Sequence, residues 1–269
     1  MEIARKYDRL KEILSTFSEV AIAFSGGVDS TFLARVARDV LGEKKVLLLT
    51  AHSPAYPRYE LEESKRLAAE MHLRQLVVLT RELEIPEYAQ NTRERCYRCK
   101  KELFALCWRH CNESGISLLF DGSNVDDADD FRPGSKAVKE ASVRSPLVEA
   151  GLTKDEIRYL SRELGLSTWH KQPFACLATR FPYGFEITRE RLERIDRCEE
   201  VLRQRGFRNY RVRYHGETAR IEVAADEISR FFEEGLRAEV VERYKAQGFT
   251  YVALDLQGYR SGSLNEVTP

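Results

Sequence analysis

Apolar residues gather in four short runs through the first half of the chain: residues 19–24 (EVAIAF), 45–50 (KVLLLT), 75–80 (QLVVLT) and 117–121 (SLLFD). Each run is short enough for a strand, and the lack of polar alternation suits strands covered on both faces. Residues 29–41 and 58–72 lie between runs and carry apolar positions at helical spacing. Strand and helix in alternation predict a parallel sheet with helices on both faces, an α/β fold. Ligands of such sheets bind at the edge formed by the carboxyl ends of the strands. Three polar loops, GGVDS, AHSPAYP and DGSNVDD, follow strands and are expected to meet there.

The pattern changes near residue 185. A helix over 188–205, two short strands in YRVRYHGETARIEV, a helix over 226–247 and a strand in YVALDL read as a small α+β domain with an antiparallel hairpin. The expected division is therefore an α/β domain over 1–185 and a small α+β domain over 186–269. The chain has 269 residues, of which 43% are hydrophobic, enough for both cores. Lysine and arginine number 43, as do aspartate and glutamate, and this balance argues against a general nucleic-acid binder. No run reaches the length of a membrane span, and the amphipathic start MEIARKYDRLKEIL has no secretory apolar segment, so a cytoplasmic protein is expected.

Chemistry enters at residues 25–31, Ser-Gly-Gly-Val-Asp-Ser-Thr, where the first strand turns into a helix. A short glycine-rich turn exposes main-chain N–H groups, adds the positive end of a helix dipole, and offers the hydroxyls of Ser25, Ser30 and Thr31. That suits a phosphate. An ordinary turn, with Gly27 at positive φ and Asp29 or Ser30 capping the helix, is the plainer alternative. Neither a Gly-Lys-Ser/Thr string nor a GxGxxG occurs, which removes the main support for P-loop and dinucleotide readings. The string instead resembles the PP-loop of the ATP pyrophosphatases. That likeness implies cleavage of ATP between its α and β phosphates, giving an adenylated substrate and pyrophosphate.

Six cysteines are present. Cys96 and Cys99 form a CxxC, a spacing compatible with zinc or a redox pair, although zinc favours two such pairs. Cys107, Cys111 and Cys198 occupy helical positions and read as core thiols. Cys176 sits in a proline- and glycine-rich loop beside Arg180, a cation able to lower a thiol pKa. On the predicted hairpin, Arg211 and Arg213 alternate onto one face, where bidentate guanidinium groups suit phosphate or carboxylate, or simply a solvated surface. Asn124, Asp126, Asp127, Asp129 and Asp130 crowd one loop, either as a solvated acidic turn or with Asn124 and Asp127 lining a nucleotide or metal site.

TAHSPAYP (50–57), RCYRCKKELF (95–104), DGSNVDDADDFRPG (121–134) with VRSPL, and CLATRFPYG (176–184), taken with the PP-loop, resemble the LarE family over nearly the whole chain. These are ATP-dependent sulfur transferases of nickel-pincer cofactor biosynthesis, acting on a pyridinium mononucleotide with two carboxylates. The resemblance implies that Ser25, Gly26, Gly27 and Ser30 hold pyrophosphate, that Asp29 carries Mg²⁺, and that Ser53 and the backbone near Gly122 contact the nucleoside. It implies Arg211, Arg213 and a glutamate, Glu199 or Glu200, near the substrate phosphate or a metal. It further implies a [4Fe-4S] cluster on Cys96, Cys99 and Cys176 as sulfur carrier, where relatives with Cys176 alone sacrifice its sulfur. Homo-oligomers and handover to a nickel-inserting protein belong to the same expectation. Rival readings are a tRNA thiolase, for which no RNA-binding module is visible, and a non-catalytic nucleotide sensor, which has no need of Cys176.

Overall fold

The computed structural model describes residues 2–127, 133–172 and 175–260, with only the main chain at 133–135. Two compact units divide the chain: Met1–Ile85 with Glu94–Phe174, and Pro86–Arg93 with Ala175–Pro269. In chain order the helices are α1 (Glu2–Ser15), α2 (Val28–Leu41), α3 (Arg58–Glu70), α4 (Pro86–Ala89), α5 (Arg95–Glu113), α6 (Pro133–Glu140), α7 (Pro146–Glu149), α8 (Lys154–Glu163), α9 (Arg189–Gln204) and α10 (Glu234–Ala246). No helix among the described residues is long and apolar enough to cross a membrane.

The first unit is built on strands β1 (Val20–Ala23), β2 (Val46–His52), β3 (Arg74–Leu79) and β4 (Leu119–Phe120), all parallel, in the order β3-β2-β1-β4. Each of the four apolar runs supplies one strand. Alternate residues then divide between two cores. Val20, Ile22 and Leu48 pack with Leu10, Leu14, Phe32, Leu33, Leu67 and Ile157 of α1, α2, α3 and α8. Ala21, Leu47 and Leu49 face the other way, against Phe104, Cys107 and Cys111 of α5 and Val138 of α6. Helices therefore cover both faces of β1 and β2, as their unbroken apolar runs require, while Val77 and Leu79 of the edge strand β3 stay exposed. The chain steps from β1 to β2 to β3 in one direction and returns to the far side of β1 for β4. Such a reversal opens a crevice beyond the carboxyl ends of β1 and β4.

In the second unit, β5 (Tyr210–His215) and β6 (Thr218–Val223) form the antiparallel hairpin, and β7 (Tyr251–Leu254) joins β6 in parallel, making a mixed sheet. The helix expected over 226–247 is two pieces, a 3₁₀ segment Ala225–Phe232 and α10, parted at the extended residue Glu233 (φ −68°, ψ 121°). Phe231 stacks on Phe207 at 5.1 Å, while α10 buries Val240 and Tyr244. At about 3.6 residues per turn, one straight helix would place Phe231 and Val240 on opposite sides, so the break lets both be buried.

Leu48 is fully buried on a strand flanked on both sides. Leu48→Ala is expected to lower the unfolding free energy by about 2–5 kcal/mol in chemical denaturation. A loss below about 1 kcal/mol would contradict this packing.

Candidate active site

Between Phe24 and Gly27 the chain leaves β1 for α2, and each carbonyl on the way is bound. Phe24 O accepts from Thr50 Oγ1 (2.8 Å), Ser25 O from the Tyr56 hydroxyl (2.8 Å), Gly26 O from Lys171 Nζ (3.1 Å) and Gly27 O from the Thr31 N–H (3.0 Å). No described peptide bond is cis. In a trans peptide C=O and N–H point in opposite directions, so tethering the carbonyls of 24–27 turns the N–H groups of 25–28 to the other side. Among the described residues the Ser25 and Gly27 N–H groups meet the hydroxyls of Ser30 and Ser25, both at 3.3 Å, long bonds that an anion could replace. Gly27 occupies the N-cap of α2 without a side-chain cap, leaving the helix end to an outside acceptor.

Glycine is needed at two places. Gly26, rather than Gly27, takes the left-handed conformation (φ 70°), and a Cβ there would lie 3.2 Å from Ser64 Cα. At Gly122 a Cβ would come within 3.0 Å of Ser30 N, so only glycine lets the loop after β4 rest against the first turn of α2. Asp121 organises that loop by accepting from the hydroxyls of Ser145 (2.6 Å) and Ser123 (2.5 Å).

Asp29 projects from the first turn of α2 and is ion-paired to Lys154, with Asn124 Nδ2 donating to its other oxygen at 3.3 Å. A capping box of Thr153 and Glu156 starts α8 and fixes Lys154 as its first residue. The acidic loop is structured rather than merely solvated: Asp126 accepts the Lys154 N–H (2.8 Å), and Asp127 accepts the Asn124 N–H (3.2 Å). Asp129, Asp130 and Arg132 lie outside the described residues.

At the crevice between β1 and β4 lies a cavity of about 500 Å³ whose wall includes Ser25, Asp29, Ser30, Gly122, Asn124 and Asp127. Lys100, Leu103 and Phe104 of α5 close another side. Ser53 is not part of this wall; its hydroxyl joins Glu82 and accepts the Ala55 N–H at 3.0 Å. Cys96 and Cys99 sit at the start of α5, exposed and half-buried, three residues apart and hence on one helical face. Cys107, Cys111 and Cys198 are buried. Burial pushes the Cys107 thiol up to about 12 and Cys111 up to about 11, and raises Cys198 as well.

The second unit holds the other predicted residues. Cys176 is half-buried and precedes the Leu177–Arg180 turn. Arg180 is buried and reaches Cys176 through main-chain carbonyls, donating to Ala175 O (2.7 Å) and Cys176 O (3.1 Å), while Glu199 grips it bidentately at 2.8 and 2.9 Å. Glu199 also accepts the Val212 N–H at 2.9 Å, tying α9 to β5. Glu200 faces away and pairs with Arg203, whose hydrogen bonds lower its carboxyl. Arg213 is buried against Glu222 (2.7 Å) and donates to Thr179 O at 2.9 Å. The half-buried Arg211 lies over the Tyr259 ring at 5.0 Å. Desolvation, then the nearby charge of Arg180, lowers its guanidinium.

Among the described residues, no group of three or more His, Cys, Asp or Glu side chains is arranged to hold a metal ion. Cys96 and Cys99 belong to one unit and Cys176 to the other. Several key residues escaped sequence reasoning. Lys154, at the start of α8, and Lys171, just after a 3₁₀ turn, stand more than a hundred positions from the glycine turn, and no sequence pattern links either of them to it. Thr50 and Tyr56 lay within the TAHSPAYP string, where a search for carbonyl partners could have found them.

The NAD synthase family profile matches residues 2–105, which include the glycine loop and the start of α5. The chain is 42% identical over 262 residues to an uncharacterised protein of Synechocystis, covering 97% of each. It is 35% identical over 264 residues to the pyridinium-3,5-bisthiocarboxylic acid mononucleotide synthase of Lactiplantibacillus plantarum, spanning 98% of this chain and 95% of that one. An uncharacterised protein of Methanocaldococcus jannaschii is 30% identical over 243 residues, 90% of this chain and 91% of its own.

Raised pKa values keep Cys107 and Cys111 protonated at pH 8. Iodoacetamide at that pH is expected to label Cys96, Cys99 and Cys176 in the folded protein, and Cys107, Cys111 and Cys198 only after unfolding. Peptide mass mapping that finds Cys107 alkylated as fast as Cys96 would refute this division.

Proposed function

The chain belongs to the LarE family of PP-loop enzymes, and from that premise we propose that it is an ATP-dependent sulfurtransferase acting on the carboxylates of a pyridinium mononucleotide. One observation carries the reading: the glycine loop has all four carbonyls of residues 24–27 turned to tethering donors, beside a cavity of about 500 Å³ at the sheet's switch point. A site that presents main-chain N–H groups and excludes carbonyl oxygens suits polyphosphate.

A carboxylate is a poor acceptor for sulfur because oxide is a poor leaving group. Adenylation corrects this. A carboxylate oxygen attacks the α-phosphorus of ATP, the bond to the bridging oxygen breaks, and pyrophosphate departs onto the N–H groups of Gly27 and its neighbours. A sulfur nucleophile then adds to the acyl carbon and AMP leaves, forming the thiocarboxylate. Asp29, with Asn124 and Asp127 on the same wall, is the donor set for Mg²⁺, which would neutralise triphosphate charge. Lys154 balances the charge of Asp29.

Thiols at Cys96, Cys99 and Cys176 fit a [4Fe-4S] cluster better than the other three, because Cys107, Cys111 and Cys198 are buried and their protons held. When bound by three thiolates, such a cluster supplies an iron without a protein ligand, able to carry a replaceable sulfide. Arg180 and Glu199 hold the main chain of Cys176 in place for that role. For the substrate phosphate, Arg211 is the available guanidinium, and Arg213 supports it from its ion pair with Glu222. Burial disfavours the charged form of Arg211, and a phosphate dianion beside it would offset that penalty. The product would pass to a nickel-inserting protein.

Pyrophosphate release measured with the pyridinium dicarboxylate mononucleotide, and separately with bulk tRNA, tests the assignment; release with tRNA alone would overturn it. Arg211→Ala is expected to weaken the phosphate-bearing substrate about tenfold or more without lowering the melting temperature. Arg213→Ala removes one of two cations on the fully buried Glu222, leaving Arg220 at 2.9 Å, and is expected to cost about 1–3 kcal/mol of stability. Unchanged substrate affinity in Arg211→Ala would mark the hairpin as structural only.

A further inference from the structure

We propose that Lys171 is a positioning residue for pyrophosphate binding: it locks the Gly26–Gly27 peptide in the orientation that aims the Gly27 N–H at the departing phosphates. This rests on the reading of the glycine loop as the pyrophosphate site.

Lys171 ends the 3₁₀ turn Ser167–His170, 145 residues along the chain from Gly26. All three protons of its ammonium are placed, on Gly26 O (3.1 Å), Glu60 Oε2 (2.6 Å) and Glu63 Oε2 (2.8 Å). The side chain is 14% exposed and that of Glu60 4%. Glu60 and Glu63 share one face of α3, so the ammonium fastens the loop to that helix.

Of the four tethered carbonyls, Gly26 O has the most need of a tether. Its peptide joins two glycines, and without Cβ atoms the plane can turn over at little steric cost. Such a flip would exchange C=O and N–H, pointing a carbonyl dipole at the anion in place of a donor. Phe24 O, Ser25 O and Gly27 O are bound by neutral hydroxyls or the helix's own N–H. Gly26 O alone among them receives a charged donor, which makes a stronger hydrogen bond. Two carboxylates beneath an anion site would by themselves oppose ATP. Lys171 offsets that charge while holding the peptide.

Titration calorimetry on the full-length protein with ATP, inorganic pyrophosphate and AMP tests the assignment. In Lys171→Met, ATP and pyrophosphate are expected to bind about tenfold or more weakly, with AMP unchanged, because AMP lacks the phosphates that the Gly27 N–H would serve. Burial raises the Glu60 carboxyl and Lys171 draws it back down, so the single variant could suffer in folding. The double variant Lys171→Met/Glu60→Gln removes both charges and is expected to show the same selective loss. Lys171→Arg, which keeps a cationic donor, should recover affinity for ATP. Wild-type affinity for pyrophosphate in the methionine variants, or equal weakening of AMP, would overturn the role of Lys171. Failure of the wild-type protein to bind either ATP or pyrophosphate would overturn the nucleotide site itself, and this assignment with it.

Discussion

Four consecutive carbonyl groups that must find donors if the N–H groups beside them are to be left for an anion set the terms for the first unit. Main-chain N–H and C=O groups alternate, so a segment cannot offer donors to a ligand unless its acceptors find partners elsewhere. The four partners come from β2 (Thr50), the loop after it (Tyr56), the first turn of α2 (Thr31) and a distant loop (Lys171). Each such bond is worth about 1 kcal/mol net, which is modest for stability. Their joint effect is on orientation: donors already aimed need no reorganisation when charge arrives. The same constraint explains Gly26, whose left-handed conformation starts the turn, and Gly122, whose missing Cβ admits the β4 loop.

A different device organises the second unit. Arg180 with Glu199 and Arg213 with Glu222 are nearly solvent-free ion pairs. Buried pairs add little net stability, since desolvation offsets their attraction, but breaking one leaves an uncompensated charge. Their use here is to fix positions: Arg180 spans from Glu199 to the carbonyls beside Cys176, and Arg213 from Glu222 to Thr179 O. The segment from Cys176 to Arg180 is thus tied at both ends to α9 and the hairpin. Arg211 donates to the Tyr210 carbonyl and lies over the Tyr259 ring, and among the described residues no carboxylate hydrogen-bonds to it, which suits it to an outside anion.

Much of this was legible in the chain. The parallel sheet could be read because strands buried on both faces cannot hide their composition, as in Val46–Leu49. The glycine loop was recognisable because Gly26 answers to local backbone geometry, with its φ of 70°. The core placement of Cys107 and Cys111 followed from helical spacing. What stayed hidden depends on long-range pairing. Nothing near Lys171 or Lys154 announces a partner in the glycine loop, and nothing in the pair Glu199-Glu200 says which carboxylate turns inward. The split before α10 was missed because Phe231 and Val240 obey helical spacing within their own segments and fail it only across Glu233.

The central claim is that this loop serves adenylation of a carboxylate by cleavage at the α-phosphorus. The most direct measurement uses the pyridinium substrate with its carboxylates enriched in ¹⁸O, turned over with ordinary ATP and a sulfur source, followed by mass analysis of the nucleotide product. The account predicts AMP carrying one ¹⁸O per thiocarboxylate formed and unlabelled pyrophosphate, because the oxygen that attacks phosphorus leaves with AMP when sulfur replaces it. AMP without label, or ADP and phosphate as products, would contradict it.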